Sequence, residues 1–365
     1  MSDSWAERLS GPSLRKLGLG LALGAVGGAV ANYFDVPLAW MLGALFFTMI
    51  ARVGGAPIDV PIWVRAVFLI LIGLFLGESF EGVRVGELMQ WPISIAGALL
   101  YVPVAASIAY LYYRYLAREA KMTAICSSIP GGVIAVVVIS GALGADERNV
   151  ALAQSMRVAI VVCMAPLIAF GLLDYPSPDG TEYAVHALIA LDDLAILLVA
   201  AFAAMWGMQK LNLPIPYMVG PLLASAGLRL AGVVEGVLPH QLVEVALVVT
   251  GSSIGTRFGG VTVKRLLSFG AVSFGGTMVL MMVSGAFALP AAALTGQDFL
   301  VALLAYAPGG VAEMSLIALA IDANPGFVAV HHLARIIFVL LAVPIFSAWI
   351  LRRQARDGTS IHDQL

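Results

Sequence analysis

The sequence predicts an all-α integral membrane protein made of two inverted-topology repeats, each with five transmembrane helices and one re-entrant helical hairpin. Composition, an internal repeat and the distribution of positive charge together predict this fold. Of the 365 residues, 61% are hydrophobic and 12% are charged, whereas an average soluble domain has about 25% charged residues. So few charges exclude a cytosolic enzyme, a nucleic-acid-binding protein and a disordered chain. The apolar runs reach bilayer length, and they lack the alternation of barrel strands.

The second half of the chain repeats the first at an offset of 177 or 178 residues. The segment FDVPLAWMLGALFFTMIARVGG at 34–55 corresponds to LNLPIPYMVGPLLASAGLRLAG at 211–232. Further identical pairs keep this register, and they are Gly73 and Gly251, Gly77 and Gly255, Arg157 and Arg335, and Pro166 and Pro344. Chance similarity between apolar segments would not keep glycine, proline and arginine aligned, so the chain is a tandem duplication.

Each half contains six apolar stretches. Those of the first half cover about 17–33, 38–53, 62–78, 92–113, 122–145 and 148–173. Those of the second half cover about 188–207, 214–230, 239–256, 266–288, 299–322 and 325–351. Twelve crossings would put twelve Lys and Arg inside and six outside, whereas letting the fifth stretch of each half return to its own side gives sixteen and two. The positive-inside rule favours the second arrangement.

Five crossings are an odd number, so this arrangement inverts the second half. It predicts a cytoplasmic tail at 1–15, a membrane repeat at 16–173, an external linker at 174–187, a second repeat at 188–351 and a cytoplasmic tail at 352–365. Both termini then lie on the cytoplasmic side of the membrane.

A proline and two glycines interrupt the fifth stretch of each half; they are Pro130, Gly131 and Gly132, and Pro308, Gly309 and Gly310. These residue types break a continuous helix. Each arm, of roughly 12–20 Å as helix, reaches the middle of a core about 30 Å thick. We therefore predict two re-entrant hairpins that point towards each other, with a proline-kinked full span as the alternative. Inverted repeats with broken helices at the midplane are typical of secondary transporters.

Arg157 and Arg335 occupy equivalent positions in the last stretch of each half, about 15 Å from its start. A guanidinium at that depth is costly and is usually functional. One interpretation is that the pair binds an anionic substrate, such as a carboxylate held bidentately. The other is structural, with the arginines capping hairpin carbonyls or pairing with Glu313.

Gln154 and His332 lie three residues before the two arginines, on the same helix face. His331 is adjacent to His332, so at most one of the two faces the site. His332 is a candidate proton relay or a neutral packing residue. Glu313 is a candidate for ion or proton coupling or the counter-ion of Arg335, and its repeat partner is Ala135.

The hairpin tips offer backbone groups. The glycines let a ligand approach main-chain amides, and the helix N-termini that follow favour anionic groups. Ser127 and Ser128 precede the first tip and either cap the helix or contact a ligand. The substrate-binding set predicted is Ser128, Pro130, Gly131, Gly132, Gln154, Arg157, Pro308, Gly309, Gly310 and Arg335. Outside it, Glu78, Glu81 and Glu87 are interpreted as solvated residues of an outer loop.

The segment PGGVAEMSLIALAIDANPGFVAVHHLARIIFVLLAVPIF, with its fainter copy PGGVIAVVVISGALGADERNVALAQSMRVAIVVCMAPLI, resembles the bacterial membrane AbrB family. Family members carry labels such as ammonia monooxygenase and AbrB family transcriptional regulator. The family also looks like a distant relative of the cation-antiporter and anion-transporter group, which includes symporters with paired re-entrant hairpins. That resemblance implies an elevator-like transporter whose hairpin glycines line the substrate site.

The residues of this chain do not support a direct reading of either label. A monooxygenase needs converging metal ligands, but the chain has five histidines, of which only His331 and His332 share a segment. We therefore predict no enzyme activity, no catalytic residue, no metal and no cofactor. Cys126 and Cys163 are predicted to be buried thiols, not a disulfide. A DNA-binding regulator needs a basic soluble module, which tails of about 15 residues cannot form.

Two functions remain. One is a secondary transporter of a small anionic organic solute, working by an elevator or alternating-access mechanism with H⁺ or Na⁺ coupling through Glu313 or His332. The other is a membrane sensor that uses the same pocket and regulates gene expression indirectly. The partners expected are the solute, the coupling ion and the lipid bilayer, without nucleic acid, and a homodimer stays open.

Overall fold

The computed structural model describes residues 11–80, 86, 89–131, 133–173, 188–211, 213, 215–239, 241–321 and 323–357. Across these residues the chain is helical, which confirms the all-α prediction. The pairing of β type that they contain is an isolated bridge between Leu188 and Val237. The predicted external linker, most of both predicted tails and Gly132 lie outside the described residues.

Each half contributes seven described α-helices. The first half has α1 Gly11–Tyr33, α2 Ala39–Val53, α3 Ile62–Glu78, α4 Trp91–Leu111, α5 Lys121–Ser128, α6 Val133–Ala142 and α7 Glu147–Pro166. The second has α8 Leu191–Lys210, α9 Pro216–Leu230, α10 Gln241–Gly255, α11 Val263–Thr295, α12 Phe299–Tyr306, α13 Val311–Ala320 and α14 Pro325–Asp357. Wider π-helical turns extend α4 through Tyr112–Leu116 and α7 through Leu167–Leu172.

Six of the described helices are long and apolar enough to cross a membrane; they are α1, α4 and α7 with their extensions, α8, α11 and α14. The chain is therefore a helical membrane protein. The remaining predicted spans correspond to shorter helices. Of these, α2, α9 and α10 have 15 residues each, or about 22 Å at 1.5 Å per residue, and α3 has 17.

The helices divide into two compact units, and each unit takes segments from both halves of the sequence. The first unit comprises Met1–Leu88, Val162–Val263 and Ala312–Ala329. Within it, α1 packs on α2 and α8 packs on α9, while α3 packs on α9 and α2 packs on α10. By the repeat, α1, α2 and α3 correspond to α8, α9 and α10. The contact of α1 with α2 therefore corresponds to that of α8 with α9, and the contact of α3 with α9 corresponds to that of α10 with α2. The packing of this unit therefore follows the internal repeat.

Glycines of the repeat lie where these helices cross most closely. A Cβ atom on Gly73 of α3 would overlap the carbonyl oxygen of Met218 on α9, and one on Gly251 of α10 would overlap that of Met41 on α2. One turn further along, Gly77 and Gly255 make the corresponding approaches, to Ser225 and to Thr48. A side chain at these positions would push the helices apart, which explains why both halves keep glycine.

The same unit corrects one prediction from the sequence. Glu78 is not a solvated loop residue but the last residue of α3. Its Oε1 lies 3.4 Å from Nη2 of Arg229 and accepts a 2.8 Å hydrogen bond from the backbone N–H of Leu238. The carboxylate is half-buried because a cation and a backbone donor replace the water around it. Glu81 and Glu87 lie outside the described residues.

The second unit comprises Met89–Val161, Lys264–Val311 and Val330–Leu365. Its interior is aromatic: the Tyr101 ring contacts Phe287 and Tyr306 edge to face, at centroid distances of 5.8 and 6.0 Å. The Ser284 hydroxyl donates to the Tyr101 hydroxyl at 3.0 Å. These contacts tie α4, α11 and α12 together beside the two predicted helix breaks.

Both breaks fall at the predicted proline and glycines. The first separates α5 from α6, and Gly131 within it has φ +105°, a left-handed conformation that favours glycine. The second separates α12 from α13. At the first break the backbone N–H of Asp146, after α6, donates to Oγ1 of Thr123, near the start of α5, at 3.0 Å. The start of α5 therefore lies close to the residues that follow α6, and α5 packs against α6.

Candidate functional site

Arg157 of α7 is buried, with 2% of its surface exposed, and it is hydrogen-bonded to the backbone of the first break. Its Nη1 donates to the carbonyl oxygen of Ile129, the residue that follows α5, at 2.9 Å. Its Nη2 donates to Oε1 of Gln154, one turn earlier on α7. Carbonyls at a helix C-terminus have no partner within the helix, so the guanidinium supplies one.

Gln154 completes this arrangement from the same helix. Its Nε2 donates to the carbonyl oxygen of Cys126 at 3.0 Å and lies 3.4 Å from that of Ile129. The amide therefore accepts from Arg157 through oxygen and donates to the end of α5 through nitrogen. Both side chains are fully buried, and together they hold the last turn of α5 in place.

Arg335 of α14 does the same at the second break, with 1% of its surface exposed. Its Nη1 donates to the carbonyls of Tyr306 and Ala307 at 2.9 and 2.8 Å. Its Nη2 donates to the carbonyl of Gly309 at 3.3 Å and to Nδ1 of His332 at 2.9 Å. Three carbonyls at the end of α12 thus share one guanidinium.

The two arrangements are equivalent through the 178-residue offset. The carbonyl of Cys126 that Gln154 binds corresponds to the carbonyl of Leu304, which lies 2.9 Å from Nε2 of His332. The Ile129 carbonyl likewise corresponds to that of Ala307. We call this pattern the break brace: an arginine, and the residue three positions before it, bound to the carbonyls at a helix break.

The break brace fixes the tautomer of His332. Because Nδ1 faces an N–H of Arg335, which can only donate, Nδ1 must accept and Nε2 must carry the proton that Leu304 receives. The neutral imidazole therefore imitates the amide of Gln154, with one acceptor and one donor. A second proton, on Nδ1, would break the bond to Arg335.

His331 lies on a different face of α14, as predicted for adjacent helical residues. Its Nε2 is 2.8 Å from Oγ of Ser94 on α4. The Tyr306 hydroxyl donates to the carbonyl of the same serine at 2.5 Å. His331 thus joins the aromatic interior of the second unit, and the break brace uses His332 alone of the two.

Arg157 and Arg335 lack carboxylate partners among the described residues. The ion pairs found there are formed by Arg229 and Arg257. Each guanidinium interacts electrostatically with the other and with Tyr101, and the Arg335 guanidinium carbon lies 5.8 Å from the centre of the Tyr101 ring. The Nε of each arginine is buried and has no acceptor among the described residues. Two positive charges are therefore concentrated in a low-dielectric interior, where an anion would be attracted strongly.

Glu313, in the first turn of α13, has a different cationic partner from the one predicted. Its Oε1 lies 3.8 Å from Nη2 of Arg257, and their side chains are 10% and 23% exposed. The repeat equivalents of the two residues are Ala135 and Ser79. Both members of this ion pair are thus specific to the second half.

The remaining predicted binding residues lie at the breaks. Pro130, Gly131, Pro308 and Gly309 are buried and Gly310 is half-buried, and Gly132 lies outside the described residues. The Ser128 hydroxyl donates to the carbonyl of Ile125 at 2.8 Å, the capping role anticipated for it, whereas Oγ of Ser127 is buried with no partner among the described residues. Both cysteines are free thiols; Cys126 is buried as predicted, whereas Cys163 is only half-buried.

A cavity of about 540 Å³ lies beside the first break, within the second unit. Its lining is almost entirely apolar and comes from α4, the end of α5 and the second half of α14. Sequence reasoning missed this cavity, and it missed Tyr101 and Arg257. Arg257 could have been noticed because its repeat partner is a serine. Tyr101 gave no signal, since a single aromatic residue in an apolar run is ordinary.

Taken together, these features define a polytopic helical membrane protein with a duplicated, arginine-braced helix break. The profile of the family described as transition state regulatory protein AbrB matches residues 40–351. The chain belongs to that family, as its resemblance implied.

Two curated relatives cover nearly the whole chain. "Uncharacterized protein YhjN" of Bacillus subtilis (strain 168) is 28% identical over 358 residues, which is 89% of this chain and 91% of that protein. "Putative regulator AbrB" of Escherichia coli (strain K12) is 27% identical over 320 residues, 86% of this chain and 90% of that protein. The similarity therefore extends across both halves of the duplication.

Proposed function

We propose that this protein is an inner-membrane secondary transporter of a small anionic organic solute, with alternating access of an elevator type and H⁺ or Na⁺ coupling. The observation that carries the proposal is the pair of buried guanidinium groups at two equivalent helix breaks, with no carboxylate partner among the described residues. Broken helices near the midplane are where transporters bind substrates and ions.

The proposal includes inverted repeats and re-entrant hairpins. The bond from Asp146 to Thr123 supports a hairpin at the first break, because a kinked span would separate these residues by the thickness of the membrane. The exchanged contacts of the first unit support a two-fold relation between the halves, since they pair α3 with α9 and α10 with α2. The distribution of sixteen Lys and Arg inside and two outside supports the inversion.

Anion binding and bracing are compatible roles for the arginines. Each guanidinium has five N–H groups, and the break brace leaves Nε of each without an acceptor among the described residues. A carboxylate near both breaks would neutralise charge that the carbonyl dipoles only partly offset. The proposed site therefore consists of the two arginines and the backbone of the two breaks.

Glu313 is the residue we propose for ion or proton coupling. It is a carboxylate with 8% of its surface exposed, and its contact with Arg257, at 3.8 Å, is longer than a hydrogen bond. A carboxylate held this loosely can exchange its partner for a proton or a sodium ion. The proton-relay role predicted for His332 fits less well, because both of its ring nitrogens are engaged.

Transport into proteoliposomes tests the proposal. A thermal-unfolding screen of small carboxylates, amino acids and ammonium, with and without Na⁺ and at two pH values, first identifies a bound solute. Uptake of that solute, labelled, is then measured with and without an ion gradient. We expect gradient-driven accumulation of an anion, and no accumulation in liposomes containing Glu313→Gln protein that still binds it.

A membrane sensor is the second candidate, favoured by the family description and by the word regulator in the name of the Escherichia coli relative. It would use the same pocket and act on gene expression indirectly. Uptake separates the two candidates: a sensor binds the solute and shifts its unfolding temperature but moves none across the membrane.

Cysteine labelling tests the topology separately. In a background without native cysteines, Thr256→Cys and Ser177→Cys should react with an impermeant maleimide from opposite faces of the membrane. Reaction of both from one face would contradict the inverted arrangement while leaving the transport question open.

A further inference from the structure

The cavity of the second unit is built from the helices that carry the first break and the second arginine. It runs along α4 from Val102 to Leu111 and along α14 from Phe338 to Phe346, about 13 Å at 1.5 Å per residue. Leu111 and Phe346 are 52% and 43% exposed, so the cavity is open at its rim. Its volume, about 540 Å³, lies within the range of small-molecule sites.

Two walls of the cavity are directly attached to the cationic groups. Ile129 contributes a wall, and its carbonyl is the group that Arg157 binds. Val339 also lines the cavity and lies four residues after Arg335, on the same face of α14. An occupant of the cavity would thus have an apolar surrounding, with the two guanidinium groups behind the residues that line it.

We infer that this cavity receives the apolar body of the ligand, and that the ligand is a monoanion with an aromatic or branched aliphatic group. The inference rests on the proposed function and specifies its substrate class. An apolar lining cannot hydrogen-bond the several hydroxyl or carboxyl groups of a polyanionic metabolite, so burying such a compound there would leave polar groups without partners. A compound with a single carboxylate, directed at the arginines, leaves no other polar group to be buried in the apolar lining.

Three probes with matched parts test the substrate class on the full chain in lipid nanodiscs. Benzoate has the anion and the apolar body, acetate has the anion alone, and benzyl alcohol has the apolar body alone. Binding is measured by calorimetry, with empty nanodiscs subtracted for partition into lipid. We expect benzoate to bind roughly 100-fold more tightly than acetate, from burial of the ring, and benzyl alcohol at least 10-fold more weakly than benzoate.

Substitutions that fill the cavity with a larger side chain test the same inference by changing the protein instead of the ligand. Ala106 lines the cavity and is half-buried, and Ala106→Phe should weaken benzoate binding at least 10-fold. Ala203→Phe, at an exposed position of α8, adds the same side chain away from the cavity and should leave binding within two-fold. If Ala106→Phe protein does not fold, Ala342→Leu on the α14 wall replaces it, with the same expectation.

Several outcomes would overturn the inference. Equal binding of acetate and benzoate would remove the apolar body from recognition. Benzyl alcohol binding as tightly as benzoate would make the cavity a cleft for lipid or other neutral apolar molecules. Benzoate binding unchanged in the filled cavity would locate the ligand elsewhere. Gradient-driven uptake of a polar anion without benzoate binding would contradict this inference alone, whereas benzoate binding without any uptake would contradict only transport.

Discussion

The two helix breaks share their brace and differ in their surroundings. At the first, Arg157 and Gln154 bind the end of α5, and at the second, Arg335 and His332 bind the equivalent carbonyls of α12. The second half adds the ion pair of Glu313, whose counterpart in the first half is alanine. Duplication has thus kept the geometry that stabilises a broken helix, while the ion pair is present in the second half alone of the two.

Removal of an arginine should have the largest effect, and it should be unequal at the two breaks. Arg335→Leu removes the charged donor of three carbonyls and Arg157→Leu removes that of one. Since a hydrogen bond to a charged group contributes about 1.5–3 kcal/mol, we expect a loss of about 3 kcal/mol or more for Arg335→Leu and a smaller one for Arg157→Leu. Thermal unfolding in detergent would check the order, and equal losses would contradict the comparison.

The glycine crossings of the first unit should respond equally in the two halves. Gly73→Ala and Gly251→Ala each direct a methyl group at a backbone oxygen, so we expect both to cost roughly 2 kcal/mol through overpacking. Gly285→Ala is the control, because a Cβ there meets nothing within 4 Å and alanine favours a helix. Its unfolding temperature should stay the same or rise; a clear difference between Gly73→Ala and Gly251→Ala would break the equivalence.

Replacing His332 with glutamine, the residue at the equivalent position of the first break, tests the tautomer argument. His332→Gln keeps one acceptor for Arg335 and one donor for Leu304, so its unfolding free energy should stay within about 1 kcal/mol of the parent. His332→Leu, which removes both, should cost about 1.5 kcal/mol or more. If glutamine destabilised the protein as much as leucine, the imidazole would have a function that the amide does not share.

The ion pair should have the smallest effect on stability and a distinct effect on transport. Glu313→Gln keeps the size and polarity of the side chain and breaks a pair whose 3.8 Å contact is longer than a hydrogen bond, so we expect a smaller loss of stability than for the other changes. Under the coupling proposal, uptake by this variant should lose its dependence on the ion gradient. Unchanged gradient-driven uptake would assign the carboxylate to structure alone.

The sequence was informative where a residue type permits few conformations. Pro130 and Gly131, with their copies in the second half, located both breaks, because proline and glycine are poor in helix interiors. The buried arginines were found for a different reason, because a charged side chain is unusual at that depth of a membrane. Their use as braces stayed one of two interpretations, because carbonyl acceptors leave no trace in the sequence.

Features that depend on long-range packing were not predictable. Helix α11 has 33 residues, whereas the apolar stretch predicted for it covers about 266–288, because composition marks the membrane core and not the end of a helix. The pairing of α3 with α9 joins segments from different halves, and periodicity within one segment cannot reveal it. Glu78 was misjudged for the same reason, since its partner Arg229 lies 151 residues away.

The exchanged packing of the first unit also determines when the protein can fold. Gly73 meets Met218, so α3 is synthesised about 145 residues before the helix that covers it. At about 5–20 residues per second, the glycine face of α3 waits roughly 7–30 s in the membrane with no native partner. Packing of α1 on α2 can precede the second repeat, but folding of this unit is completed only after the second repeat has emerged.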